Sequence, residues 1–475
     1  MGLGVKKMEG ENNSMEKGLL LVNKDERKGS SETRITPFLV FTTFIIVSAS
    51  YSFGVALGYT AGTMSYIMED LDLSIAQFSV FGSLVTFGGM IGAIFSAIVA
   101  DAFGRKKTLW VAEVFCICGW LAIALAKNII WLDFGRFFVG IGVGLLSYVV
   151  PVYIAEITPK NVRGTFTFSN QLLQNCGLAT AYYLGNFMSW RMIALIGIIP
   201  CVVQFFGLFF IPESPRWLAK EIRDEECEIV LQKLRGKEAD IVKEIREIMI
   251  SVDATANISM KSLFKRKYTR QLTIGVGLML LQQLCGSAGI GYYAGSIFEL
   301  AGFPSKFGMT VLSIVVVPKA IVGLIIVDRW GRRPLLMASA FGLSLSCISL
   351  ALAFGLKGVP GIVVNFTPTM AFIGILAYTM MFAAGLGALP WIIMSEIFPM
   401  DMKVVAGSLV TITNWFTGWI VSYCFNFMLI WSPTGTFSIF AIISGLTIVF
   451  GWCLVPETRG LTLEEIQLPR ANTLS

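Results

Sequence analysis

Two adjacent carboxamides, Gln282 and Gln283, stand in an otherwise apolar stretch, Leu281 to Phe298 (LQQLCGSAGIGYYAGSIF). Such a pair costs free energy in lipid unless it faces protein or water. An amide both donates and accepts, so it matches the hydroxyls of a sugar. Bonding to a neighbouring helix is the competing use. Glycines at 286, 289 and 291 weaken a helix here and let it bend as a site closes. Other apolar stretches offer Asn170, Gln171 and Gln174, Trp391 after Pro390, and Asn414 beside Trp415. A tryptophan among amides presents a flat apolar face ringed by donors, the surface a pyranose ring fits.

The second chemistry is ionic and occurs twice. Asp101 to Lys107 (DAFGRKK) is matched by Asp328 to Pro334 (DRWGRRP). Glu156 in AEITP is matched by Glu396 in SEIFP, and Arg163 and Lys403 follow those acids by seven residues. Pro212 to Arg216 (PESPR) is matched by Pro456 to Gly460 (PETRG). The pairs keep their order at separations of 227, 240 and 244 residues, the mark of two homologous halves. Acids beside bases in both halves suggest a breakable latch between the halves, holding one conformer. Its members would be Asp101, Arg105, Glu156 and Arg163, with Asp328, Arg332, Arg333, Glu396 and Lys403. Topological anchoring by positive charge alone is the other reading.

Composition excludes most enzymes. Of 475 residues, 55% are hydrophobic and 14% charged, and there is no histidine. An ordinary soluble domain is about 25% charged. Ser-His-Asp hydrolysis, histidine-ligated metals and histidine general bases are therefore out. No nucleophile–base set or phosphate-binding Gly-Lys loop is present. The nine cysteines show no CxxC and read as packing residues. No cofactor, metal or nucleic-acid partner is expected.

The elements that must position these residues are membrane helices. Runs long enough to span a bilayer, which takes roughly 20 apolar residues, lie near 37–63, 76–98, 107–127, 130–150, 165–187 and 190–211. A second six lie near 269–297, 308–327, 335–356, 361–395, 402–425 and 436–455, and 361–395 has room for a broken helix. The expected fold is an all-α membrane protein of twelve spans in two pseudo-symmetric six-helix bundles, 36–211 and 269–457. Tails at 1–35 and 458–475 and a linker at 212–268 complete the chain. In the linker Ile229, Val230, Leu234, Ile241, Ile245 and Ile248 follow helical spacing. Helices covering the cytoplasmic face and a regulatory partner site are both compatible with that pattern. No cleavage-site pattern precedes the first span, so a removable signal is not expected. Of 37 Lys and Arg, 31 fall on one side of the alternating spans, which puts both termini in the cytoplasm.

With these motifs the chain resembles the sugar porter family of the major facilitator superfamily, through Asp101–Lys107, Pro151–Gly164, Pro212–Trp217, Gln282–Tyr293, Asp328–Pro334 and Pro456–Gly460. Leu281 to Phe298 is most similar to the early-response-to-dehydration-like branch of plant monosaccharide transporters. The resemblance implies that Gln171, Gln282, Gln283, Trp391 and Asn414 bind hexose hydroxyls. It also exposes departures. Ala288 and Ala383 replace polar residues common in the family, which implies fewer hydrogen bonds and low affinity. Lys403 replaces an arginine and loses its bidentate fork. Family proton symporters carry an aspartate in a Phe-Gly-x-Asp segment of span one, and here that position is Ala56 in Phe53-Gly-Val-Ala.

Without that carboxylate, facilitated diffusion is expected. Lys319 lies nine residues before Asp328, about 13 Å along a helix. It is either a functional cation, with proton coupling one role, or a side chain snorkelling toward a polar cavity. Asp133 and Arg136 are expected to pair. Glu16, Leu20 and Leu21 fit an acidic dileucine sorting signal, which in this branch implies the vacuolar rather than the plasma membrane. Asn365-Phe-Thr is a glycosylation sequon. The sum is a monosaccharide uniporter, a monomer in a lipid bilayer, working by alternating access. A proton-coupled sugar or polyol carrier and a non-transporting sugar sensor are the alternatives.

Overall fold

The computed structural model describes residues 35–253, 268–357, 363–398 and 403–459. The first half is α1 (Pro37–Leu71), α2 (Ile75–Phe103), α3 (Arg105–Ala124), α4 (Ile129–Ile157), α5 (Arg163–Leu184) and α6 (Trp190–Gly207). Short helices α7 (Pro215–Lys220), α8 (Asp224–Arg235) and α9 (Val242–Asp253) form the linker. The second half is α10 (Thr269–Leu284), α11 (Ser287–Ala301), α12 (Ser305–Arg329), α13 (Arg332–Gly355), α14 (Val363–Ala384), α15 (Leu389–Ile397), α16 (Lys403–Trp431) and α17 (Pro433–Cys453).

Local sequence sets the starts. Thr36 caps α1 ahead of Pro37, Ser74 and Gln77 form a capping box on α2, and Asn128, Ser189 and Ser432 cap α4, α6 and α17. Two spans are broken rather than continuous. Between α10 and α11 the chain turns at Cys285 and Gly286, and Gly286 takes φ 95°, which an L side chain resists. Between α14 and α15 the Ser339 hydroxyl accepts from the Leu386 N–H and donates to the Met381 carbonyl, and Pro390 opens the next helix. The long run 361–395 is thus a broken helix, and twelve spans result.

Among the described residues, ten spans are long and apolar enough to cross a membrane on composition alone. The two that fall short, α5 and α16, carry Asn170, Gln171, Gln174 and Asn414. Their polarity is tolerable because it faces the middle of the protein rather than lipid. Within the first half α2 packs on α4, α1 on α5, and α3 on α4 and α6; within the second α13 packs on α17 and α14, and α10 on α16. The halves meet along α2–α16, α5–α12 and α1–α11.

The linker docks on the first half. Arg235 donates to the Ile157 carbonyl (2.7 Å) and pairs with Glu244 (2.6 Å), Thr36 donates to the Leu234 carbonyl (2.8 Å), and Lys160 reaches Glu247 (2.7 Å). Leu231, Ile241 and Ile248 form a buried cluster, while Ile229 is exposed. Cys227 is buried in α8 against Trp217 and Leu218. We call this end of the molecule, where the ionic motifs lie, the charged end.

The expected Asp133–Arg136 pair is absent. Arg136 is fully buried with its guanidinium nitrogens unpaired, lying 5.4 Å from the Phe81 ring and 5.6 Å from the Tyr59 ring. It faces α1 and α2, where two ring faces attract the cation, while Asp133 remains half-buried with its Oδ1 unpaired.

Candidate functional site

A cavity of about 720 Å³ lies between the halves, walled by α1, α2, α4 and α5 on one side and by α10, α11, α12, α14, α15 and α16 on the other. Gln171, Gln282, Gln283, Trp391 and Asn414 all line it, as do Asn170, Gln174, Ser287, Trp415 and Lys319. Ser50, the stretch from Leu146 to Val152, Asn170, Gln171 and Thr411 line it from the part of their helix nearer the charged end.

The second half contributes a chain of amides. The Gln282 Nε2 donates to the carbonyls of Leu386 (2.8 Å) and Gly387 (2.9 Å), in the break between α14 and α15. The Gln282 Oε1 accepts from Asn414 Nδ2 (2.7 Å), Asn414 Oδ1 accepts from Gln283 Nε2 (3.2 Å), and Gln283 Oε1 accepts from the Ser287 hydroxyl (2.8 Å). Gln282 is only 3% exposed, so its amide is committed to protein and aligns the others. Of the paired glutamines, Gln282 braces helices, while half-buried Gln283 faces the cavity. In the first half the side chains of Gln171 and Gln174 bond to no described residue and point free donors and acceptors at the space. Trp415 stacks on Phe53, with ring centroids 6.2 Å apart.

Several wall residues were not singled out from sequence. Tyr378 donates to the Cys285 carbonyl (3.2 Å) at the break of the seventh span, and Tyr182 donates to the Gly291 carbonyl (2.7 Å), two residues before the kink at Tyr293. Only the break itself, foreshadowed by its glycines, could have pointed to them. Ala288 lines the cavity, but Ala383 does not. The Ala383 carbonyl packs against Gly323 of α12, so the low-affinity argument rests on Ala288.

The ionic motifs form two matched networks, each inside one half. Arg105 binds Glu156 through Nε and Nη2, both at 2.9 Å, and also Asp101 (3.1 Å) and the Ala100 carbonyl (2.9 Å). Arg332 binds Glu396 (3.2 and 3.3 Å) and the Val327 carbonyl (3.3 Å). Glu213 accepts the N–H groups of Arg105 and Lys106 that open α3, and Glu457 accepts those of Arg332 and Arg333 that open α13. Ser214 and Thr458 then donate to Glu156 (2.6 Å) and Glu396 (2.5 Å). The glycine of each turn has a steric reason, since a Cβ on Gly104 would lie 2.4 Å from the Glu213 carboxylate and one on Gly331 2.6 Å from that of Glu457.

In this form the acids and bases knit neighbouring helix ends within each half, and among the described residues none joins the two halves. The repeat unit itself brings them together, because spans two to four of a half share one charged junction. Arg163 reaches only the Thr158 carbonyl (3.5 Å), with its Nε unpaired, and Arg333 lies over Trp452 (5.1 Å). The side chains of Asp328 and Lys403 lie outside the described residues, as do Glu16, Leu20 and Leu21 and the Asn365 side chain.

Two carboxyls at these junctions shift in opposite directions. Burial pushes Glu213 above the usual carboxylate range despite the N–H groups it accepts. Glu457 is less buried, and donation from the N–H groups of Arg459, Arg332, Arg333 and Thr458 outweighs desolvation and holds it below that range.

Hydrogen bonds that cross between halves lie at the opposite end. Thr86 meets Ser422 (3.2 Å), Asn426 donates to Ser79 (3.0 Å), Tyr182 reaches Gly291, and Asn186 reaches Thr310 (3.2 Å). Among the described residues none crosses at the charged end. Among the described residues the hydrogen bonds between the halves thus gather at one end of the cavity. A possible ion cage elsewhere, Glu113, Cys116 and Cys201 with donor atoms within 4.8 Å, is buried inside the first half and does not reach the cavity.

Comparison with known proteins agrees with this architecture. A family model described as sugar (and other) transporter matches residues 35–468. The chain is 72% identical over 468 residues to sugar transporter ERD6-like 12 of Arabidopsis thaliana, covering 98% of this chain and 100% of that one. It is 82% identical over 330 residues to ERD6-like 9 of the same plant (70% and 99%), and 53% identical over 457 residues to sugar transporter ESL1 (96% and 97%). Among solved structures it is similar to the inward-open xylose transporter XylE of E. coli, at 26% identity and TM-score 0.77, covering 90% of this chain and 99% of that one. The partially occluded inward-open form gives 25% and 0.76, with 90% and 100% covered. Fold, repeat and junction motifs together place this chain in the sugar transporter family, in the ERD6-like branch of the major facilitator superfamily.

Proposed function

We propose that this protein carries monosaccharides across a membrane by facilitated diffusion, the two halves rocking around the central cavity. The observation that carries the reading is the cavity wall itself. Amides from α5, α10 and α16 converge with Trp391 and Trp415, and no carboxylate is among the described lining residues. Gln171, Gln174 and Gln283 take the hydroxyls, and the indoles take the ring face. Gln282 and Asn414 hold that surface in place. The charged end is cytoplasmic by its basic loops, so the form described here is open inward. The inward-open relatives favour the same assignment.

Uniport rests on Ala56, which is fully buried and removes the carboxylate that family symporters carry. Low affinity follows from Ala288, which offers the sugar no hydrogen bond. Delivery to the vacuolar membrane rests on Glu16, Leu20 and Leu21. The test is uptake of labelled D-glucose, D-fructose and D-xylose into proteoliposomes, with a pH gradient and with the gradient collapsed by an ionophore. Saturable uptake of at least one sugar at a rate indifferent to the gradient is expected. Uptake that stops when the gradient collapses would restore the proton-coupled reading, and binding without flux would favour a sensor.

A further inference from the structure

Lys319 is the sole charged residue among the described residues lining the cavity. It follows Pro318, the proline inside α12, and makes no ion pair or hydrogen bond within the described residues. The helices packed on α12 offer it no counter-charge. These are α5, α14 and α11, and the single acid among them is Glu299 on α11. Glu299 lines a separate pocket of about 60 Å³ at the opposite end, together with Ser305 and Lys306. Lys306 and Lys319 are thirteen residues apart on one helix, roughly 20 Å.

An unpaired cation in a low-dielectric interior costs several kcal/mol. Here Lys319 lines an open cavity that water can enter. A carrier that works by alternating access must close around the cavity, and closure strips that water away. On closure the ammonium must either give up its proton or meet a counter-charge carried by the cargo, since the described lining residues hold none. We infer that the preferred substrates are monosaccharides bearing one carboxylate, uronates or aldonates, with the Lys319 ammonium facing the carboxylate while the amides bind the hydroxyls. A single lysine matches a single negative charge and leaves a phosphate dianion half-compensated. This inference rests on the sugar-transport reading and names the substrate class of the same site.

The test is competition in proteoliposomes. Counterflow of labelled D-glucose is inhibited by unlabelled D-glucuronate, D-galacturonate or D-glucose, in wild type, Lys319→Gln and Lys319→Arg. The uronates are expected to inhibit wild type at concentrations at least tenfold lower than D-glucose, equivalent to about 1.4 kcal/mol. Labelled D-glucuronate should itself exchange. Lys319→Gln should bring the ratio near one, and Lys319→Arg should keep the preference. A wild-type protein that exchanges glucose but shows no uronate preference overturns the inference and leaves the sugar reading intact. Uronate preference undiminished in Lys319→Gln overturns the role of Lys319. A wild-type protein that exchanges neither class sinks both readings. The wild-type comparison decides whether or not a variant folds.

Discussion

Replacing Gln282 by alanine should damage the protein in a way that replacing its neighbour does not. The Gln282 amide donates to two carbonyls in the break of the tenth span and accepts from Asn414, at 2.7 to 2.9 Å, in a site 3% exposed. Each buried hydrogen bond contributes roughly 0.5–1.5 kcal/mol net, so three together come to about 3 kcal/mol. For a cooperative unit of some 200 residues, the size of one half, that lowers the melting temperature by about 6–12 °C. Gln283 is half-buried and holds only Asn414 and Ser287. Gln283→Ala should therefore melt within a few degrees of wild type and instead raise the sugar concentration giving half-maximal transport. The assay is thermal unfolding in detergent, paired with counterflow in liposomes. Gln282→Ala with unchanged melting and unchanged counterflow would refute both the amide chain and the position of the site.

The two junction acids should respond oppositely to substitution and to pH. Glu457, held below the usual range, contributes stability above that range and loses it as pH falls through its lowered value. Glu213 is pushed up, so its charged form costs stability at neutral pH and is relieved on acidification. Glu457→Gln should thus lower the melting temperature at pH 7 more than Glu213→Gln, with the gap narrowing toward pH 4, as melting curves at the two pH values will show. Gly104→Ala combines φ 91° with a Cβ 2.4 Å from the Glu213 carboxylate, so it should cost about 1–3 kcal/mol, read as a lower melting temperature. Ala56 precedes Tyr59 by three residues on one face of α1, and Arg136 lies over the Tyr59 ring. Ala56→Asp should therefore gain a cation in reach and make uptake sensitive to an imposed pH gradient. Uptake still indifferent to the gradient would show that Ala56 is not what prevents coupling.

Most of the architecture was legible because lipid imposes a length on each span and the repeat imposes an order. Spans five and eleven illustrate the limit. Their polarity weakens the composition signal, and it is the same polarity that marks the cavity wall. The amides Gln171, Gln282, Gln283 and Asn414 could be found as costly residues in apolar runs, yet nothing in their spacing shows that Gln282 is bonded to a helix break. Partner choice among charges was the least legible feature. Arg105 and Glu156 are 51 residues apart, and only the adjacency of helix ends decides whether such a pair joins two halves or braces one. Arg136 shows the same limit, since an acid three residues away lost to two aromatic rings from other helices.

The central claim is that one cavity, reached alternately from either side, moves sugar with no coupling ion. Counterflow tests it most directly. Vesicles preloaded with unlabelled monosaccharide are diluted into a trace of the labelled sugar, at equal pH and salt on both sides. The label should rise transiently above its equilibrium level and then decay, faster with more preload until the effect saturates. Label that only creeps to equilibrium, or that accumulates solely when a proton gradient is imposed, would contradict the account.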